Sequence, residues 1–233
     1  MSKPVCVVTG VGPGTGLALA RRFAAGGYAV AMMARSAEAL ATFARETPGT
    51  HPIPADVADP ASVAAAVARV RSELGAPTVL VHNAGNAVFG SVLDVSEADF
   101  EAAWRVNALG LFLMARAVLP DMVAAGQGAI LVTGATASWR GGAAFAAFAS
   151  AKAAQRVLAQ SMARSLGPKG VHVAYVVIDG VIDMPTTRAF FKDRPDEFFL
   201  RPDAIADTFF YVAGQDRSAW TFEVDVRPFA EKW

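Results

Sequence analysis

Short apolar runs rich in β-branched residues alternate along this chain with longer stretches whose apolar positions recur every three or four residues. The runs Val5–Val8, Ala29–Met33, His51–Ile53, Val79–His82, Ala129–Thr133, Val171–Ile178 and Glu223–Val226 predict about seven strands. Helical spacing predicts helices near 15–26, 37–46, 60–73, 97–120, 147–166 and 203–213. Strands that read as continuous apolar runs are buried on both faces, and right-handed βα crossovers then give an α/β, doubly wound parallel sheet with helices on both sides. No internal repeat or low-complexity linker divides the pattern, so 1–233 is expected to be a single domain. Ligands of such a sheet bind beyond the carboxyl ends of its strands.

Composition adds three points. Hydrophobic residues are 54% of the 233 positions and charged residues 18%, an apolar excess that is expected to cover a subunit interface. The formal net charge is zero, which argues against nucleic acid or an anionic membrane as partner. Cys6 is the single cysteine and lies in the first predicted strand, so neither a disulfide nor a cysteine metal site is expected. The N-terminus runs into Val5–Val8 without a basic lead or cleavage signal, and a cytoplasmic protein is expected. The uncharged stretch from Met122 to Trp139 is broken by Gln127 and several glycines and reads as helix end, turn and strand rather than a membrane span.

The chemistry begins at Thr9-Gly10-Val11-Gly12-Pro13-Gly14-Thr15-Gly16, which joins the first strand to the first helix. Glycines there let a backbone approach a pyrophosphate, and the helix N-terminus favours the anion. Such a turn alone also serves as a plain connection. Further motifs stand at fitting intervals: Asp56-Val57 after the third strand, His82-Asn83-Ala84-Gly85 after the fourth, Asn107 within an apolar helix, and Lys152. As a set, and over essentially the whole chain, they resemble the short-chain dehydrogenase/reductase family, with its TGxxxGxG turn, NNAG, helical Asn and Ser…YxxxK pair.

The resemblance implies a Rossmann-type fold and a nicotinamide cofactor held by Gly10, Gly12, Pro13, Gly14, Thr15, Gly16, Asp56, Val57, Asn83, Ala84, Gly85, Lys152 and Val181. At the end of the second strand, Met33-Ala34-Arg35 offers a base and no acid. That favours NADP(H) over NAD(H), with Arg35 as partner of the 2′-phosphate, since an acid there would select NAD. Arg35 also reads as a surface residue opening a helix, and Asp56 as an Asx turn or cap before Pro60.

The resemblance places the catalytic tyrosine four residues before Lys152 and the serine thirteen before that. Phe148 and Ala135 stand there instead. A three-residue shift would be needed to make Ser138 the serine. Lys152 and Asn107 remain, which implies a retained cofactor-binding lysine and part of a proton relay; a snorkelling lysine and a structural Asn are the alternatives. General acid help is typically worth ~10²–10⁴ in rate, so the absent hydroxyls leave little turnover by the family's usual route, and an active enzyme takes its proton from a nonstandard group or water. Asp179 and Asp183 occupy a segment that in the resembling family meets the nicotinamide, as candidate acids or as turn and cap residues.

The segment 184–201 holds Phe190, Phe191, Phe198 and Phe199 where the family has a substrate lid; the rings either line an apolar pocket or pack short helices. The tail Arg227–Trp233 replaces a Gly-rich close. Two readings follow: an NADP(H)-preferring oxidoreductase for a small carbonyl, alcohol or activated alkene, or a cofactor-binding protein without turnover, with lyase or isomerase use a further option. The resemblance also implies a homodimer or homotetramer formed through the helices at 97–119 and 148–166.

Overall fold

The computed structural model describes residues 3–231. In chain order its elements are β1 (Val5–Thr9), α1 (Thr15–Ala25), β2 (Ala29–Ala34), α2 (Ala37–Glu46), β3 (Thr50–Pro54), α3 (Pro60–Glu73), β4 (Pro77–His82), α4 (Glu97–Trp104), a π turn (Arg105–Leu109), α5 (Gly110–Ala125), β5 (Gly128–Ala135), α6 (Ala146–Leu166), β6 (Val171–Ile178), β7 (Val181–Ile182), α7 (Pro185–Phe190), β8 (Phe199–Leu200), α8 (Pro202–Ala213) and β9 (Glu223–Val226). The main sheet is parallel in the order β3-β2-β1-β4-β5-β6-β9. The strand order reverses at β1 and β4, and the crevice at such a reversal is where a nucleotide is bound in this architecture.

The period of two along each strand builds two cores. Val5 and Val7 face α3, α5 and α6, whereas Cys6 and Val8 face α1, α2 and α8. Every residue of β1 and β6 is buried, which explains why those strands read as unbroken apolar runs. The expected seven strands and six helices are all present. The β7–β8 pair was beyond reach of the pattern: two-residue strands carry no period, and they pair because the 184–201 segment returns its end beside Val181.

The helix expected at 97–120 extends as a continuous run from Glu97 to Ala125 and contains the π turn. Its 29 residues are long and apolar enough to cross a bilayer by composition alone. Here its inner side, including Leu111, Met114 and Val118, is fully buried against the sheet core.

Candidate active site

The glycine turn is held by backbone contact. Gly10 has φ +68°, and a Cβ there would lie 2.5 Å from Ala84 Cα; one at Gly16 would lie 2.4 Å from the Gly10 carbonyl oxygen. Gly12 is different, with no described atom within 4 Å of a built Cβ, and Gly14 would meet only the Met184 side chain. No side chain among the described residues caps the N-terminus of α1, its first turn carries no acid, and Thr15 Oγ1 is buried without a partner. An uncapped helix end beside an open glycine fits a pyrophosphate. Pro13 is exposed on the rim of the same turn.

Asn83 ties this turn to β5: its Nδ2 donates to the Gly10 carbonyl at 3.0 Å, and its Oδ1 accepts from Thr133 Oγ1 at 3.1 Å. Ala84 N donates to Thr9 Oγ1 at 3.2 Å, and Gly85 is exposed beside them. Lys152 reaches the same place from α6. Its Nζ donates to the Thr133 carbonyl at 2.8 Å and to Gln155 Oε1 at 3.1 Å. The residue is only 5% exposed, and burial pulls its pKa down to about 7.

Asn107 sits at the centre of the π turn and is fully buried. Its Nδ2 donates to the Ala103 carbonyl at 2.8 Å and to that of Asn86 at 2.9 Å, while Oδ1 has no partner. A Cβ at Gly85 would lie 3.3 Å from that Oδ1 and 3.9 Å from Lys152 Nζ, so Asn107, Lys152 and the Gly85 loop converge on one small polar space. The site thus joins a glycine turn with an uncapped helix end to a buried lysine and an unsatisfied amide at the carboxyl edge of the sheet.

Residues 4–195 match the sequence profile of the short chain dehydrogenases. The 2-(R)-hydroxypropyl-CoM dehydrogenase of Xanthobacter autotrophicus is 34% identical over 91% of this chain and 92% of its own. The chain belongs to the short-chain dehydrogenase/reductase family. A short-chain dehydrogenase from Rhodopseudomonas palustris superposes with TM-score 0.83 at 35% identity, covering 97% of this chain and 99% of that one. A metagenomic short-chain oxidoreductase in complex with NADP superposes with TM-score 0.85 at 30% identity, covering 99% of each.

The other residues expected at the site lie on several elements of the fold. Arg35 is exposed at the end of β2 and forms no ion pair among the described residues, and Ser36 beside it caps α2 through Ala39 N at 3.2 Å. Asp56 builds the Asx turn, with Oδ1 accepting from Ala58 N at 2.9 Å, while the cap of α3 is Asp59. Val57 is buried against Gly110, and Val181 lies in β7 opposite Phe199.

Phe148, on α6, packs with Phe89 and Phe145, the ring centres lying 5.6 and 6.3 Å from its own. Ala135 ends β5, and Ser138 follows in a 3₁₀ turn with its Oγ buried. Tyr175, which the sequence did not single out, brings a hydroxyl to this region from β6. Its Oη lies 3.4 Å from both the Lys152 carbonyl and Gln155 Oε1. Burial raises its pKa to about 12. His82 is also fully buried beneath the site, pushed down to about 3 by burial and then by the nearby Lys152 charge.

Both aspartates considered as acids are engaged elsewhere, and neither caps a helix. Asp179 pairs with Arg227 at 3.4 Å. Asp183 accepts two hydrogen bonds from Arg188, at 2.7 and 2.8 Å, which hold its carboxyl below the usual range. Arg188 also binds Asp196 and lies 4.0 Å over the Phe199 ring, so it staples the 184–201 segment to itself. The four phenylalanines of that segment divide: Phe199 is buried and Phe198 half-buried against it, whereas Phe190 is 88% exposed and Phe191 is exposed at the surface. In the tail, Arg227 joins Asp179 and Asp225, Phe229 is exposed, and Lys232 and Trp233 lie outside the described residues.

Proposed function

We propose that this chain is an NADP(H)-dependent reductase acting on an apolar carbonyl or activated alkene, with Lys152 supplying the proton. Ala135 and Phe148 stand in place of the serine and tyrosine of the family pattern. The observation that carries the reading is the buried Lys152 ammonium, held by the Thr133 carbonyl beside the glycine turn, with a pKa lowered to about 7. A general acid works best when its pKa lies near the working pH. NADPH, when bound, would supply the hydride, and Lys152 Nζ would give up one proton to the substrate oxygen or carbon that becomes anionic and regain it from solvent.

In this reading the turn Gly10–Gly16 with Thr15 holds the pyrophosphate, and Arg35 the 2′-phosphate. Asp56 and Val57 bound the adenine, Asn83, Ala84 and Gly85 the ribose side, and Val181 the amide. Asn107 Oδ1 keeps a water by Lys152. The Phe89, Phe145 and Phe148 rings form the apolar wall beside the lysine, and 184–201 is the lid. The second reading, binding without turnover or a lyase or isomerase use, is favoured by the lack of a hydroxyl on Phe148 and Ala135.

Purified protein is titrated with NADPH and then assayed for its oxidation against aldehydes, ketones and activated alkenes. Consumption that declines as pH rises through about 7 is expected; tight binding with no consumption across the panel selects the second reading. A homodimer or homotetramer through α5 and α6 is part of the same proposal. It is supported by an apolar groove of about 680 Å³ between those helices, lined by Phe112, Leu119, Val123, Leu158 and Met162.

A further inference from the structure

Gln155 stands three residues after Lys152 on α6 and is fully buried. Its Oε1 accepts the 3.1 Å hydrogen bond from Lys152 Nζ and faces the Tyr175 hydroxyl at 3.4 Å, while its Nε2 donates to the Asn107 carbonyl at 3.0 Å. Sealing an amide in a core is unfavourable unless both ends find partners. Here each end is committed to a neighbour of the site. The Asn107 carbonyl it binds belongs to the π turn that interrupts the long α4–α5 helix. On the other side, the Tyr175 ring lies so close to β5 that a Cβ at Gly134 would be 2.2 Å from it. The ring is therefore wedged between sheet and α6, which fixes where Gln155 Oε1 can lie.

We infer that Gln155 is a positioning residue for Lys152, holding Nζ in place and stabilising its charged form, with Tyr175 and the π turn as its two fixed supports. This rests on the proposal that Lys152 is the working group. The titratable groups that face Lys152 from packed elements are His82 of β4, kept neutral by burial, and Tyr175 of β6; Arg156 and Glu223 pair with each other nearby at 3.1 Å. None of them supplies a carboxylate to Lys152, so the neutral acceptors Gln155 Oε1 and Thr133 O carry that task.

The test titrates Lys152 in the cofactor-free protein by NMR of ¹³Cε-labelled lysine, its resonance assigned with Lys152→Met, beside the pH profile of NADPH turnover. Gln155→Leu removes the acceptor, and its titration is expected to fall by about one to two pH units, the size of a lost hydrogen bond to a charged group. Gln155→Glu places a charge at the same atom, and the titration is expected to rise. Shifts of opposite sign separate positioning from general damage, and Gln155→Glu keeps the question open to test if the leucine variant does not fold. Unchanged titration in both variants overturns the inference. A titration that moves while the turnover profile stays put sustains Gln155 as the holder of Lys152 and sinks Lys152 as proton source.

Discussion

Lys152 Nζ stands 6.0 Å from the centre of the Phe148 ring, one helical turn away on α6. The ring occupies the space beside the lysine without offering it a proton. Hydroxyls placed at these positions give the first prediction: the double variant Ala135→Ser, Phe148→Tyr keeps the ring packing with Phe89 and Phe145 and raises carbonyl reduction by ~10²-fold, the lower end of the range for general acid help. Steady-state kcat/KM with NADPH and a ketone panel measures it. A double variant no faster than wild type would show that the cleft is not arranged for that route.

Arg35 projects unpaired, among the described residues, from the end of β2. Arg35→Ala should weaken NADPH binding by roughly tenfold or more, as expected for one charge-assisted contact, and leave NADH binding nearly unchanged. Calorimetric titration with both cofactors decides this. Equal losses for the two would remove Arg35 from the 2′-phosphate.

The glycines of the turn should separate by role. Gly16→Ala forces a methyl against the Gly10 carbonyl and should cost roughly 1–3 kcal/mol of stability, read from denaturant unfolding. Gly12→Ala meets open space and should leave the unfolding midpoint in place while weakening NADPH binding. A Gly12 variant that binds NADPH like wild type would argue against a phosphate cradle there.

Stability should depend on pH through two buried bases. The pKa of Lys152 is lowered from 10.5 to about 7 in the fold, so the unfolded chain binds the extra proton between those values and stability rises with pH across that window. For His82, lowered from 6.5 to about 3, the same logic makes stability fall as pH drops from about 6.5 toward 3. Thermal unfolding of Lys152→Met should lose the first dependence and His82→Asn the second. A wild-type profile flat in both windows would contradict these assignments.

The apolar outer sides of α5 and α6 should be covered by a second copy. Leu158→Asp puts a charge into the groove between them and should shift sedimentation toward the monomer. Wild-type protein that sediments only as a monomer at micromolar concentration would place the interface elsewhere or nowhere.

The seven main strands, the six longer helical stretches and the glycine turn were legible in the sequence because each depends on local pattern: unbroken apolar runs, a helical period, and glycines set between the first strand and the first helix. Lys152 and Asn107 were singled out by the family motif, and as polar groups inside apolar helices they were expected to need partners, which the fold supplies in Thr133, Gln155, Ala103 and Asn86. Gln155 and Tyr175 had the same signal, a polar residue in an apolar run, but no local rule says which of them face each other across 20 positions. Nor could spacing show that Asp179 and Asp183 meet Arg227 and Arg188, since ion pairing is set by where loops return. What the sequence by itself determined is the layered fold and the groups available for chemistry. Tertiary structure alone decided that the Lys152 ammonium rests on Thr133 and Gln155 in an apolar interior, because burial and hydrogen-bond partners come from segments far apart in the chain.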